Sequence, residues 1–213
     1  MESTNYTSFN DWLENTKMPN GKRKVLQSAV KLFSVNGYNS TSTASIAKDC
    51  GLSEATVFKH FKSKKDLLKT IIDPLVNNLA PSFGDQFVSS VKGKALNINT
   101  MIEFIISNRF HFIEENHEVI FIVMNQILTD DKLRDKFGDI VVPKLKVVIN
   151  KLTVLMAADD KISDDITTEE LYRIIASQLL ISTIQEYKFP SDDWDTEKQI
   201  KSMVKMTQRA IRK

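Results

Sequence analysis

The sequence predicts an all-α fold: an N-terminal three-helix module built on a helix-turn-helix, followed by a larger helical region. Three observations carry that expectation. Glycine and proline are scarce, at 6 and 5 in 213 residues, while Leu, Ile, Lys and Glu recur at helical spacing. Residues 42–61, STASIAKDCGLSEATVFKHF, read as two short helices joined at Gly51, the helix-turn-helix signature. That layout presents its second helix to a DNA major groove. Basic charge is also concentrated there. Residues 20–65 hold nine Lys and Arg against Asp49 and Glu54, a balance of +7, which leaves −5 for the rest of a chain whose total is +2.

Composition narrows the alternatives. With 42% hydrophobic and 26% charged residues the chain reads as an ordinary soluble globular protein. Its single cysteine, Cys50, can form no internal disulfide, which fits a reducing cytoplasm. No apolar run approaches the ~18 residues of a membrane span, and no signal peptide is visible. A cytoplasmic protein is expected.

Taken in order, residues 1–19 are polar apart from Phe9, Trp12 and Leu13, and residues 18–21 (MPNG) form a break. Phe9 and Leu13 are four apart, so a stub of helix can dock on the body; disorder is the competing expectation for a terminus of this composition. From Lys22 to Val35, the residues Val25, Ala29, Leu32 and Phe33 recur at i, i+4, i+7 and i+8, an amphipathic helix stopped by Asn36 and Gly37. In the helix-turn-helix, Ser42 or Thr43 caps the first helix and Ser53 the second, with Val57 and Phe61 on one face. Ser63 with Asp66 three residues on is a capping-box pattern, so a further helix starts there and runs through Leu67, Leu68, Ile71 and Ile72. Pro74 should end or kink it. Beyond Pro81, residues 96–115 and 117–128 read as helical segments, the second apolar around most of its circumference. Residues 130–158 follow, with a kink expected at Pro143. Residues 159–168 form an acidic loop, and residues 171–187 and 194–212 make the last two helices.

The run from Val25 to Leu68, VLQSAVKLFSVNGYNSTSTASIAKDCGLSEATVFKHFKSKKDLL, resembles the DNA-binding domain of the tetracycline-repressor (TetR) family of bacterial regulators. The matching pieces are AVKLFSVNGY, the T-x-x-x-I-A-K-x-C-G-L-S core and T-V-F-K-H-F-K-S-K-K-D-L-L. The resemblance implies a DNA-binding domain at 20–66, preceded by an extension at 1–19 and followed by an effector-binding and dimerisation domain at 67–213. It implies a repressor released from a palindromic operator by a small molecule, a homodimer formed through residues 169–187 and 194–212, and no cofactor. A DNA-associated dimer without an effector, architectural or partner-recruiting, is the alternative.

By matching position, the resemblance lends DNA contacts to Ser42, Thr43, Ser53, Glu54, Ala55, Thr56, Phe58, Lys59, His60 and Lys64. The physical case agrees where it can be made. Thr43 opens a helix, and helix N-termini attract phosphate. Thr56 suits a thymine methyl or a phosphate, Lys59 a guanine or the backbone, and Glu54 a cytosine amine. His60 can donate to phosphate, and Lys64 is expected as a phosphate clamp. Two positions depart from the family pattern: Phe58 replaces the common Tyr, and Ala44 stands where some relatives carry a base-reading Arg. Cys50 is expected to be core packing.

Enzymatic inventories are missing. The histidines are His60, His111 and His117, and the last two are six apart, which puts them on different helix faces and makes a poor metal pair. There is no Gly-rich phosphate loop and no G-x-S-x-G. Polar residues embedded in the apolar C-terminal helices are instead the candidates for orienting a ligand: Asn108, His111, Asn125, Gln126 and Gln178, with Phe121.

Overall fold

The computed structural model describes residues 8–79 and 97–213, together with Ser89. Among these residues the chain is helical, without strands: α1 (Phe9–Asn15), α2 (Asn20–Asn36), α3 (Thr43–Asp49), α4 (Glu54–His60), α5 (Lys64–Pro74), α6 (Ile98–Ile127), α7 (Asp131–Ala157), α8 (Thr168–Lys188) and α9 (Thr196–Ala210). Pro81 and the expected helix start at residue 96 lie outside the described residues, as do residues 1–7 of the extension. Two compact units emerge, Met1–Phe83 with Glu115–Val141, and Gly84–Glu114 with Val142–Lys213. They do not follow chain order, because α6 and α7 each contribute to both.

In the first unit, short helices are delimited by their caps. Ser42 accepts from the Ser45 amide while the Ser45 hydroxyl returns to the backbone of Ser42, a complete capping box. Ser53 and Ser63 cap α4 and α5 through the amides of Thr56 and Asp66. The two turns are closed by Gly37 (φ 81°) and Gly51 (φ 69°), in the left-handed region that costs an L side chain ~1–2 kcal/mol. Val25, Ala29 and Phe33 of α2, Ile46 and Ala47 of α3, and Val57 and Phe61 at α4 are all buried, so α2, α3 and α4 share one small core.

Three features of this unit refine the sequence reading. Of the two expectations for the N-terminal stretch, residues 9–15 take the docked helix. Phe9 and Leu13 are buried, the Phe9 amide donates to the side-chain carbonyl oxygen of Asn116 at 2.9 Å, and Arg23 caps the far end of α1 by donating to the carbonyls of Leu13, Glu14 and Thr16. Pro74 ends the α-helical bonding of α5, as expected, but not the helical course of the chain. It lacks an N–H, and the chain passes at that point from α-helical to π-helical bonding over Leu75–Leu79. Residues 98–127, read as two segments, are one 30-residue helix; nothing between them breaks helical bonding, and the polar Asn116 is buried with a partner.

The second unit has one continuous core from α6, α7, α8 and α9: Ile98, Met101, Ile102, Ile106 and Phe110 meet Leu152, Leu171, Ile175, Ile200, Met203 and Ile211. The capping box at Thr167 and Glu170 starts α8 three residues earlier than hydrophobic periodicity does. The C-terminus is fastened down. Ile162 and Arg212 form an antiparallel bridge, Arg212 donates to Asp159 (3.1 Å) and Asn99 (2.9 Å), and the Lys213 amide donates to the Lys161 carbonyl. No described helix is long and apolar enough to cross a membrane.

Candidate nucleic-acid interface

The exposed rim of α3 and α4 collects the sequence-predicted residues. Ser42, Ser53, Glu54, Ala55, Phe58 and Lys59 are exposed, and Thr43, Thr56, His60 and Lys64 are half-buried. Phe58 is 49% exposed although it is aromatic, while its neighbour Val57 and the helix-ending Phe61 carry the packing.

Several of these side chains are engaged internally. The Thr43 hydroxyl donates to the Glu54 carboxylate at 2.5 Å, joining the first residues of α3 and α4. Ser53 and Thr56 share a hydroxyl–hydroxyl bond of 2.8 Å. The His60 ring lies against the first turn of α2, where a Cβ on Gly21 would come within 2.9 Å of its Nε2; glycine is what lets the ring approach. Lys64 differs from its expected placement. Its ammonium donates to the carbonyls of Tyr38 (2.8 Å), Thr41 (2.9 Å) and Asn39 (3.4 Å) and sits 4.4 Å from the centre of the Tyr38 ring. Burial pushes that Tyr38 phenol above its ordinary pKa.

The local charge divides the same way. Lys31 pairs with Asp49 at 2.8 Å, and that hydrogen bond, helped by Ser28, holds the Asp49 carboxyl below its usual range. Lys22 lies over the Phe61 ring, Arg23 caps α1, and Lys64 is held by carbonyls. Among the described residues the side chains of Lys24, Lys48, Lys59, Lys62 and Lys65 have no partner and are exposed. Lys48, Lys62 and Lys65 enter the charge count and the quoted motif pieces but not the set of expected DNA contacts. Cys50 is half-buried at the end of α3 rather than in the core, with its thiol 3.5 Å from the Ala47 carbonyl.

Residues 25–71, which contain α3, α4 and most of α2 and α5, match the family described as bacterial regulatory proteins, tetR family. Over that N-terminal module the chain is similar to the TetR family. Its relatives include the fatty acid metabolism regulator protein of Bacillus subtilis, 23% identical over 164 residues that span 76% of this chain and 79% of that protein. The transcriptional regulator UidR of Escherichia coli is 39% identical over 51 residues, only 24% of this chain and 26% of UidR. Solved structures extend the likeness in fold to the helical remainder. The ketosteroid regulator KstR2 of Mycobacterium tuberculosis superposes with a TM-score of 0.68 at 16% identity, covering 92% of this chain and 97% of that one. Bacillus subtilis FadR in complex with stearoyl-CoA gives 0.59 at 16% identity, covering 86% and 96%. Members of the family bind operator DNA as dimers, and this chain shares the DNA-binding module that the family model describes.

The expected ligand residues are drawn from both units. Asn108, His111 and Gln178 belong to the second unit, Phe121 and Asn125 to the first. His111 and Asn125 are exposed, so neither lines an enclosed cavity; a side chain paired with Glu114 on the wet face of α6, as His111 is at 3.3 Å, has no need of one. The Gln178 amide nitrogen donates to the buried Thr207 hydroxyl at 2.8 Å between α8 and α9, while its Oε1 is buried without a hydrogen-bond partner among the described residues. Gln126 is buried. Asn108 accepts from Arg109, whose guanidinium lies 5.7 Å from the centre of the Phe112 ring and is pulled down to about 10 by burial. Arg109 is absent from the sequence-predicted set, since a lone cation in an apolar helix carries no motif. Among the described residues no group of three or more His, Cys, Asp or Glu could hold a metal ion.

Proposed function

We propose that this chain is a cytoplasmic, homodimeric repressor that reads a palindromic operator through α3 and α4 and leaves it when a small molecule binds residues 67–213. The observation that carries the reading is the exposed rim of Ala55, Phe58 and Lys59, flanked by lysines without internal partners. Such cations exchange counterions for phosphate, while α4 side chains meet base edges. In this reading residues 20–66 supply the DNA-binding function.

Two helices suit the dimer. On α8, Leu180 and Ile181 are exposed, and on α9 Met206 is 51% exposed beside the buried Met203 and Thr207. Deleting residues 191–213 is a poor test, because it removes Ile200, Met203 and Ile211 from the core. Replacing Ile181 and Met206 with Glu leaves the core intact and should yield monomers in light scattering; a persistent dimer refutes the interface.

For the effector we favour a long-chain acyl thioester, since relatives along most of the chain are a fatty acid metabolism regulator and a FadR bound to stearoyl-CoA. A duplex selected from a random-sequence pool by the full-length protein supplies the probe. Stearoyl-CoA should weaken its binding roughly 5–150-fold, the range of typical allosteric coupling. Binding unchanged by acyl-CoA of any chain length sinks the effector assignment and favours the effector-free dimer.

A further inference from the structure

We propose that Lys64 is a positioning residue that sets the N-terminus of α3, and that it makes no contact with DNA. The inference rests on the reading of α3 and α4 as the DNA-facing helices. A lysine ammonium has three donors and no acceptor. Here all three find carbonyls, those of Tyr38, Asn39 and Thr41, and the Tyr38 ring covers the charge. These carbonyls belong to one loop, between α2 and α3. Thr41 is itself 2% exposed, with its hydroxyl on the Gly37 carbonyl, so the loop is drawn around the ammonium as around a bound cation. The next residue, Ser42, caps α3, and the one after it, Thr43, holds Glu54 of α4. Lys64 therefore reaches α3 and α4 through the loop it closes.

A phosphate clamp and a loop tie make opposite demands on the side chain. Phosphate accepts arginine at least as well as lysine. Three carbonyls converging on one nitrogen accept an ammonium and reject a planar guanidinium. Removing a phosphate clamp also lowers the salt slope of binding by about 0.9, whereas removing a tie weakens binding equally at every salt concentration.

The test uses the full-length dimer, the pool-selected duplex and 50–200 mM NaCl. K64M and K64R should both bind roughly tenfold or more weakly, the scale of one missing charge-assisted hydrogen bond, with the wild-type salt slope. Substituting Thr43→Ala should then cost less in K64M than in the wild type. K64R binding like wild type, with a slope reduced only in K64M, overturns the inference. K59A serves as the separate check on the DNA-facing helices: its slope should fall, and an unchanged slope defeats that reading without touching Lys64. Should K64M not fold, the wild-type protein still decides. A slowly exchanging Lys64 ammonium proton signal should be present without DNA and unmoved by it, and a signal that emerges only with DNA refutes the tie.

Discussion

The helices that face DNA and the helices that form the second unit solve the same problem, ordering a helical chain, by different means. Around α3 and α4 the means are local. Ser42, Ser53 and Ser63 reach the third amide beyond themselves, Gly37 and Gly51 take the left-handed turns, and Thr43 holds Glu54 eleven residues away. In the second unit the means are distant, with Ile98 and Phe110 of α6 in one cluster with Met203 and Ile211. Local bonds fix side-chain positions to a fraction of an ångström, which reading DNA demands. An apolar cluster tolerates hydrophobic exchange as long as volume and patterning are kept, so it constrains individual side chains less tightly.

Mutations can break this contrast. The largest expected effect is on the cluster: Phe110→Ala should cost about 3–5 kcal/mol in urea unfolding, with the folded fraction keeping wild-type operator affinity. An equal drop in affinity would erase the distinction between the two regions. Next is the reading surface. Replacing Lys59 and His60 together with Ala should weaken operator binding by about 1–3 kcal/mol for each base edge no longer read, with the unfolding midpoint almost unmoved; unchanged affinity removes α4 from the interface. Ser63→Ala should cost about 1 kcal/mol of stability, read out as faster amide exchange in the first turn of α5, and unaltered exchange there would show that the cap is dispensable.

The smallest effect is a pH dependence. The Asp49 carboxyl is held low by Lys31, so its stabilising pair is fully present above the ordinary carboxylate pKa and is lost as pH falls through the lowered value. The wild-type protein should therefore have a slightly higher thermal midpoint than Asp49→Asn at neutral pH, with the gap closing in acid. A gap independent of pH would show that the pair contributes nothing.

What could be read from the sequence follows the same division. The caps, the Gly51 turn and the apolar spacing of α2 are written in consecutive residues, so the helix-turn-helix and its exposed side chains were legible. Lys64 was legible as a cation but not as an internal one, because its partners are backbone carbonyls more than twenty residues away and carbonyls have no sequence signature. His111, Asn125 and Gln178 share a polar type inside apolar helices, yet type does not tell which side of a helix faces water once the helix is apolar on most sides. Arg23 and Asn116, which dock α1, are ordinary polar residues until the fold brings their partners to them.

That docked helix has a mechanical consequence. The Phe9 amide and Asn116 form a buried hydrogen bond across 107 residues of chain, while Arg23 rivets the other end of α1 to α2. A displacement of α2 that drags α1 with it must pull the Phe9 amide off Asn116, and leaving such buried groups unmet costs about 1–3 kcal/mol. This is the size of a typical allosteric coupling energy. Residues 9–15 thus tie the start of α2 to the middle of α6 within the first unit.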